Sequence, residues 1–412
     1  MSYPTLEQYR DVMQYPQLVL TDPELKKGTI ATNNFDLPLA LCGGFALTYT
    51  VTAKGKKYAV RCFHKQSNEL EKRYLAISNK LKALHSSYFV DFEFQPSGIS
   101  VNKQLFPVVK MTWASGKTLG EFLSANYRNK AELQQLNNSF LNLSGYLENQ
   151  HIAHGDIQTG NVMISNGGRS VQLIDYDGMF VEEIQSLGSA ELGQINFQHP
   201  QRTSTTWDYH LDRFSFIALN LAVRGLEADP DLWGKTQSDE NAILFKANDF
   251  SEPSQSAIFQ ELFSRTQFAT DAKNFAAICK SPFEKIPTLS DFLSGKNIPQ
   301  IAIGILPTVA PAIAGYRSAY TVLDARNYSL CEKSVGDRVE LIGQIIEVRR
   351  SLTVKGEPYI FLNFGYWKGN IVKICIWPNV LETLTQVPDE SWVGKWISVV
   401  GLMEPPYESH KF

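Results

Sequence analysis

The runs His154-Gly155-Asp156-Ile157-Gln158-Thr159-Gly160-Asn161-Val162 and Leu173-Ile174-Asp175-Tyr176-Asp177-Gly178 set an aspartate and an asparagine five positions apart, with a second aspartate fourteen further on. Between them lie Val162-Met163-Ile164 and Val171-Gln172-Leu173-Ile174, two short apolar runs that predict a β-hairpin with a polar loop at either end. A lone Asp-x4-Asn carries little information; the flanking strands make the pattern specific. Read as one site, Asp156 is the carboxylate that orients a hydroxyl. Asn161 and Asp175 then supply an amide oxygen and a carboxylate oxygen for a hard cation.

The chain's 412 residues allow two or three domains, and its 43% hydrophobic and 20% charged content is ordinary for a globular protein. A formal net charge of −3 gives no drive toward a polyanion. Cys42, Cys62, Cys279, Cys331 and Cys375 are scattered, without a CxxC or Cys/His cluster, and read as buried reduced thiols. The start Met1-Ser2-Tyr3-Pro4 lacks the pattern of a signal peptide, so a cytoplasmic location is expected. Asn297 to Tyr316 is uncharged and long enough on paper to span a bilayer, but Pro299, Gly304, Pro307, Pro311 and Gly315 interrupt it. An extended linker is expected there, and no membrane partner.

The pattern divides the chain into five parts. Residues 1–35 read as an N-terminal extension, with one helical turn at Asp22-Pro23-Glu24-Leu25. Residues 36–111 hold strands at Ala46–Val51, Tyr58–Phe63, Tyr88–Phe94 and Phe106–Met111, interrupted by a helix over Ser67–Leu84. After a hinge at Thr112–Ala114, residues 112–296 are mostly helical, most clearly at Leu133–Gln150 and Leu211–Val223. Residues 297–330 form the proline-rich apolar linker. Residues 331–412 return to strands: Arg338–Arg349, Tyr359–Phe364, Ile371–Trp377 and Trp396–Gly401, with a short helix at Asn379–Leu384. That order fits a small five-stranded barrel of the OB type. Its last strand would begin near Tyr407, so that strand is short or the barrel is truncated. The fold class is therefore α+β, two lobes followed by a small all-β domain.

On these motifs residues 36–235 resemble the protein-kinase-like superfamily, closest to divergent bacterial members that share His-Gly-Asp with the aminoglycoside phosphotransferases. The resemblance covers about half the chain and implies an ATP- and magnesium-dependent phosphotransferase. Asp156 matches the catalytic aspartate, and Asn161 and Asp175 match the two magnesium ligands. The run Trp207-Asp208-Tyr209-His210-Leu211-Asp212-Arg213 resembles the start of the large buried helix of protein kinases, where an aspartate, here Asp212, holds the catalytic loop. Met179 to His199 then corresponds to the activation segment, with Ser186 and Ser189 inside it and Gln201 in place of its closing glutamate.

The strand-rich part departs most from the family. Leu41-Cys42-Gly43-Gly44-Phe45-Ala46 stands where the phosphate loop belongs but matches only the middle glycine of GxGxxG; Gly43 and Gly44 still permit close backbone approach to phosphates. Arg61 of Tyr58-Ala59-Val60-Arg61 stands in for the phosphate lysine, a non-conservative exchange, with Glu71 expected as its helix partner and Glu69 as the second choice. Met111 and Trp113 fall where the resemblance puts an adenine pocket, at the hinge. Gly155 replaces an arginine that pairs with phosphorylated segments, Gln158 replaces a lysine, and Asp177 adds a carboxylate beside Asp175.

The resemblance favours a Ser/Thr protein kinase with a protein substrate. The alternative is a nucleotide-binding pseudokinase scaffold whose barrel recruits a partner; a small-molecule phosphotransferase is disfavoured by Asp212 and the appended barrel. Tyr359, Phe361, Phe364 and Trp367 offer stacking faces for single-stranded nucleic acid, but residues 334–412 carry eight Lys/Arg against nine Asp/Glu, which disfavours that partner.

Overall fold

The computed structural model describes residues 3–33, 36–42, 46–65, 69–301, 318, 320–353, 356–366, 369–384 and 386–406. The architecture is mixed α+β with several sheets, none closed into a barrel among the described residues. Gly43, Gly44 and Trp367 lie outside those residues, as do residues 302–317 of the apolar stretch. Among the described residues no helix is long and apolar enough to cross a membrane.

The first sheet has six strands: β1 (Thr29–Ile30), β2 (Ala40–Cys42), β3 (Ala46–Ala53), β4 (Lys56–Phe63), β5 (Phe92–Val101) and β6 (Gln104–Thr112). Its order is β1-β3-β4-β6-β5, with β2 also pairing β3. Alternation along β4 shows how its sequence serves two cores. Tyr58, Val60 and Cys62 join one core with Tyr9, Met13, Leu20 and Leu25. Ala59 and Phe63 turn the other way, into the large core shared with helix α1 (Leu70–Leu84) and the helices beyond. Arg61 shares that parity, so a guanidinium enters an otherwise apolar face.

The first residues are not an appendage. Thr5 caps the helix Leu6–Met13 in a reciprocal box with Gln8, and the Tyr9 hydroxyl donates to Phe63 O at 2.7 Å. Lys110 on β6 pairs with Asp22 and Glu24 at 3.1 and 3.0 Å. The N-terminal residues are thus the second cover of the sheet, which its doubly buried strands require.

A three-stranded sheet follows, of β7 (Lys117–Thr118), β8 (Val162–Ser165) and β9 (Ser170–Leu173). The hairpin pairs Val162 with Leu173 and Ser165 with Ser170. Helices α2 (Lys130–Asn149) and α3 (Arg213–Ala228) pack behind it; Leu133, Leu136, Phe140 and Leu143 of the first meet the apolar face of the second.

The C-terminal strands correct two boundaries. A strand β10 (Thr321–Asp324) lies inside the expected linker and pairs in parallel with β11 (Arg338–Gln344). The expected single strand Arg338–Arg349 bends at Ile345–Ile346, where one amide bonds Lys395 O and the next bonds Asn363 O. The chain therefore passes from one sheet to another and continues as β12 (Glu347–Leu352), which pairs with β13 (Pro358–Asn363), itself paired with β14 (Lys373–Ile376). Strand β15 (Trp396–Leu402) completes the sheet of β10 and β11. Leu323, Leu341, Ile345, Ile360 and Leu362 form a core between the two sheets. Cys62, Cys279 and Cys331 are buried free thiols, whereas Cys375 is half-buried.

This C-terminal unit meets the first sheet beside His64. Lys65 pairs with Asp337, and a Cβ on Gly336 would lie 2.9 Å from Leu6 and 3.4 Å from His64 Nε2. Burial, then the charge of Lys65, depresses the His64 pKa from 6.5 to about 4. The folded state therefore binds fewer protons than the unfolded chain between those values. Stability from this joint is complete above pH 6.5 and is lost as pH falls toward 4. Thermal melts across that window should show wild type losing stability more steeply than His64→Gln, by at most ~1.4 kcal/mol per pH unit. Parallel curves would contradict this account of the joint.

Candidate functional site

The 154–161 loop links α2 to β8 and is pinned from below. Asp212 precedes α3 but does not cap it. Its carboxylate accepts the amides of His154 at 2.6 Å and Gly155 at 2.8 Å, two donors that a tight turn leaves without strand partners. His154 Nδ1 accepts from the Asp156 amide at 3.3 Å, which puts the ring proton on Nε2, 2.9 Å from Ile174 O. One imidazole thereby ties the loop to the far end of the hairpin. Gly155 has φ +77°, and a Cβ there would come 2.0 Å from Gly178 O, so contact between the two loops excludes any side chain at 155.

Asp156 is 7% exposed. Its Oδ2 accepts from Asn161 Nδ2 at 2.8 Å and Gln158 Nε2 at 2.9 Å, and its Oδ1 from the Gln194 amide at 2.7 Å. Burial raises its pKa, against the hydrogen bonds from Gln158 and Gln194. Asn161 also donates to Asp156 O at 3.0 Å. With its nitrogen so committed, the Asn161 amide oxygen is turned away from Asp156.

Arg61 crosses the space between the first sheet and the hairpin. It donates through Nη1 to Asp175 Oδ1 at 2.7 Å and through Nη2 to Asp177 Oδ2 at 2.6 Å. Burial opposes its charge, but Asp175 and Asp177 outweigh that and hold it above the usual guanidinium range. The expected partner Glu71 is not there. The buried positions of α1 are Leu70, Arg73, Tyr74, Ile77, Ser78 and Leu81, so Glu71 is exposed, and Glu69 pairs instead with Lys72. From α1 it is the Tyr74 hydroxyl that reaches the cluster, donating to Asp177 Oδ1. Burial raises the Asp177 pKa, with Arg61 pulling it down.

Asp175 sits at φ +65°, a left-handed conformation unusual for a residue other than glycine, and its side chain is 38% exposed. Its second oxygen and the Asn161 amide oxygen are the two hard ligands left for a cation. Among the described residues no three His, Cys, Asp or Glu side chains converge to hold a metal by themselves. Two protein oxygens fit magnesium, which usually completes its shell with water and phosphate. Glu191 lies within the field of Asp177, Asp156 and Asp175, and burial followed by those three aspartates pushes its carboxyl far up.

Met111 is buried in the large core opposite Ala59, while Trp113 is half-buried under Lys57, whose Nζ lies 5.4 Å from the ring. Sequence reasoning missed Tyr74, Glu191 and Arg202, whose Nη1 donates to Gly155 O at 2.6 Å. Tyr74 was visible only as part of an apolar helical face, and Glu191 had no local signal. Tyr320, entering β10, is also within the field of Asp156.

If Tyr74 rather than Glu71 supports the cluster, Tyr74→Phe leaves a buried carboxylate short of a donor and should destabilise the protein by about 1–3 kcal/mol. Glu71→Ala should stay within about 0.5 kcal/mol. Urea denaturation of the two variants checks this, and equal effects would contradict the arrangement.

Compared with known proteins, the chain matches no protein-family model, and no curated protein is significantly similar to it.

Proposed function

We propose that the chain is an ATP- and magnesium-dependent phosphotransferase of the protein-kinase-like superfamily, acting on a Ser/Thr hydroxyl of a protein. One observation carries this: Arg61 meets Asp175 at 2.7 Å across 114 residues of sequence, beside a loop that presents Asp156 and Asn161 together. Scattered polar residues chosen for their spacing alone have no reason to be brought together.

In this reading residues 36–111 and 112–296 are the two lobes, and the cleft between them takes the nucleotide. Asp156 orients the acceptor hydroxyl and receives its proton. Asn161 and Asp175 hold magnesium, which when bound neutralises the charge on the transferring phosphoryl group. Arg61 holds one oxygen of Asp175 and leaves the other to face the metal. The resemblance assigns the phosphates to Gly43 and Gly44, and Met111 and Trp113 border the adenine. The bent two-sheet unit of strands β10 to β15 is, in this reading, an OB-like module that recruits the protein partner. The buried free thiols Cys62, Cys279 and Cys331 support a cytoplasmic setting.

The pseudokinase scaffold is favoured by one specific feature: both terminal nitrogens of Arg61 are committed to carboxylates, which leaves its charge little reach toward a phosphate. Transfer of label from ATP to the protein itself or to a generic protein substrate separates the two. Asp156→Ala and Asp175→Ala should each reduce transfer by about 100- to 10,000-fold. Nucleotide binding without any transfer by wild type would favour the scaffold.

A further inference from the structure

The peptide unit that joins Gly155 to Asp156 is held at both ends. Its N–H donates to His154 Nδ1 at 3.3 Å. Its carbonyl accepts from Arg202 Nη1 at 2.6 Å and, more weakly, from Gln198 Nε2 at 3.5 Å. The grip matters because Gly155, at φ +77°, has no Cβ to restrict its backbone. The plane of this peptide sets the direction in which the Asp156 side chain leaves the loop. A donor carried by residue 155 itself is excluded, since Gly178 O would stand 2.0 Å from its Cβ. The donor arrives instead from 47 residues further along the chain.

Arg202 reaches that carbonyl from a rigid base. Ser215 of α3 donates to Phe197 O at 2.7 Å. His199 is buried, and its Nδ1 accepts the Gln201 amide at 3.2 Å. The ring proton is therefore on Nε2, 3.0 Å from Ile278 O in the helix Ala269–Lys280. The same ring meets Phe214 and Phe283 edge-on, with centroids 5.2 and 5.9 Å apart. The Arg202 amide then bonds His199 O at 3.0 Å, and Gln198 Oε1 accepts from the same Nη1 that reaches Gly155 O.

Packing alone does not account for a guanidinium at this place. Arg202 is 8% exposed, and among the described residues its Nε and Nη2 are buried without acceptors. A methionine would fill similar space and strand no donors. Burial opposes the charge, while Asp212, Asp156 and Glu191 favour it. What the guanidinium adds over an apolar side chain is its hold on Gly155 O. We propose that Arg202 is a positioning residue that locks the Gly155–Asp156 peptide and so aims the Asp156 carboxylate at the acceptor hydroxyl. The lock rests on the contacts above; its use in catalysis rests on the phosphotransferase reading.

Two substitutions in the full chain test it. Arg202→Met keeps a long side chain and removes its donors, whereas Arg202→Lys keeps a charged donor. Hydrogen exchange at the Asp156 amide should quicken by about tenfold in Arg202→Met and by less than about threefold in Arg202→Lys. With ATP, magnesium and a generic protein substrate, kcat should fall by about 10- to 100-fold in Arg202→Met. Arg202→Lys should recover to within about threefold of wild type, and KM for ATP should stay unchanged in both, because Arg202 acts through the loop. Unchanged exchange in Arg202→Met overturns the lock. Quickened exchange with wild-type kcat overturns the positioning role, as does an equal loss of kcat in both variants, which marks a purely structural part. Should Arg202→Met fail to fold, Gln198→Ala removes the acceptor that aims Nη1, and wild-type exchange and kcat in that variant overturn the proposal. Quickened exchange with no transfer by any protein, wild type included, leaves the lock standing and overturns the phosphotransferase reading.

Discussion

A buried guanidinium between two carboxylates governs the arrangement of this protein. Arg61 comes from the middle of the first sheet, and Asp175 and Asp177 come from the end of a hairpin in the helical region. Removing Asp177 would leave Arg61 short of its buried partner, at about 3–5 kcal/mol for a broken buried pair, whereas the 38% exposed Asp175 is screened by solvent and costs less to lose. The triad therefore fixes how the sheet and the hairpin face each other, and Tyr74 extends the constraint to α1. That helix packs on β5 through Tyr74 and Phe92, so its position follows the same charges.

The second constraint is the loop that carries Asp156. Asp212 holds its first two amides, His154 ties it to Ile174, and Arg202 holds Gly155 O. Loops held only by their own backbone wander; this one is fastened by Asp212 and Arg202 from elsewhere in the chain and by its own His154. Gly155 is a consequence rather than a gap, since the backbone of Gly178 occupies the space a side chain would need. The same closeness brings Asp156, Asp177 and Glu191 into one electrostatic cluster.

Much of this was legible because the signal was local. Asp156, Asn161 and Asp175 stood out through spacing and through the apolar strands between them, and those strands pair in the structure as the pattern predicts. The alternation in β4 was equally readable. Partners set by tertiary packing were not. Glu71 is near the start of α1, but the helix turns Tyr74 inward, and a tyrosine in an apolar stripe gives no hint that its hydroxyl serves a carboxylate. The N-terminal helix is only eight residues long, so its role as the sheet's second cover left no strong period. The run Arg338–Arg349 reads as a continuous strand because a bend that exchanges hydrogen-bond partners leaves the residue pattern intact. Glu191 reaches the cluster through the fold of a long segment that carries no periodic signal.

The central claim is that Asn161 and Asp175 grip a cation that carries a nucleotide, beside the contacts that Arg61 makes. A crystal grown with a non-hydrolysable ATP analogue and manganese tests it most directly, through the anomalous signal of the metal. The account predicts a peak within coordination distance of the Asn161 amide oxygen and an Asp175 oxygen, with triphosphate oxygens completing the shell. Bound nucleotide with manganese elsewhere, or a cleft that takes up neither, would contradict it.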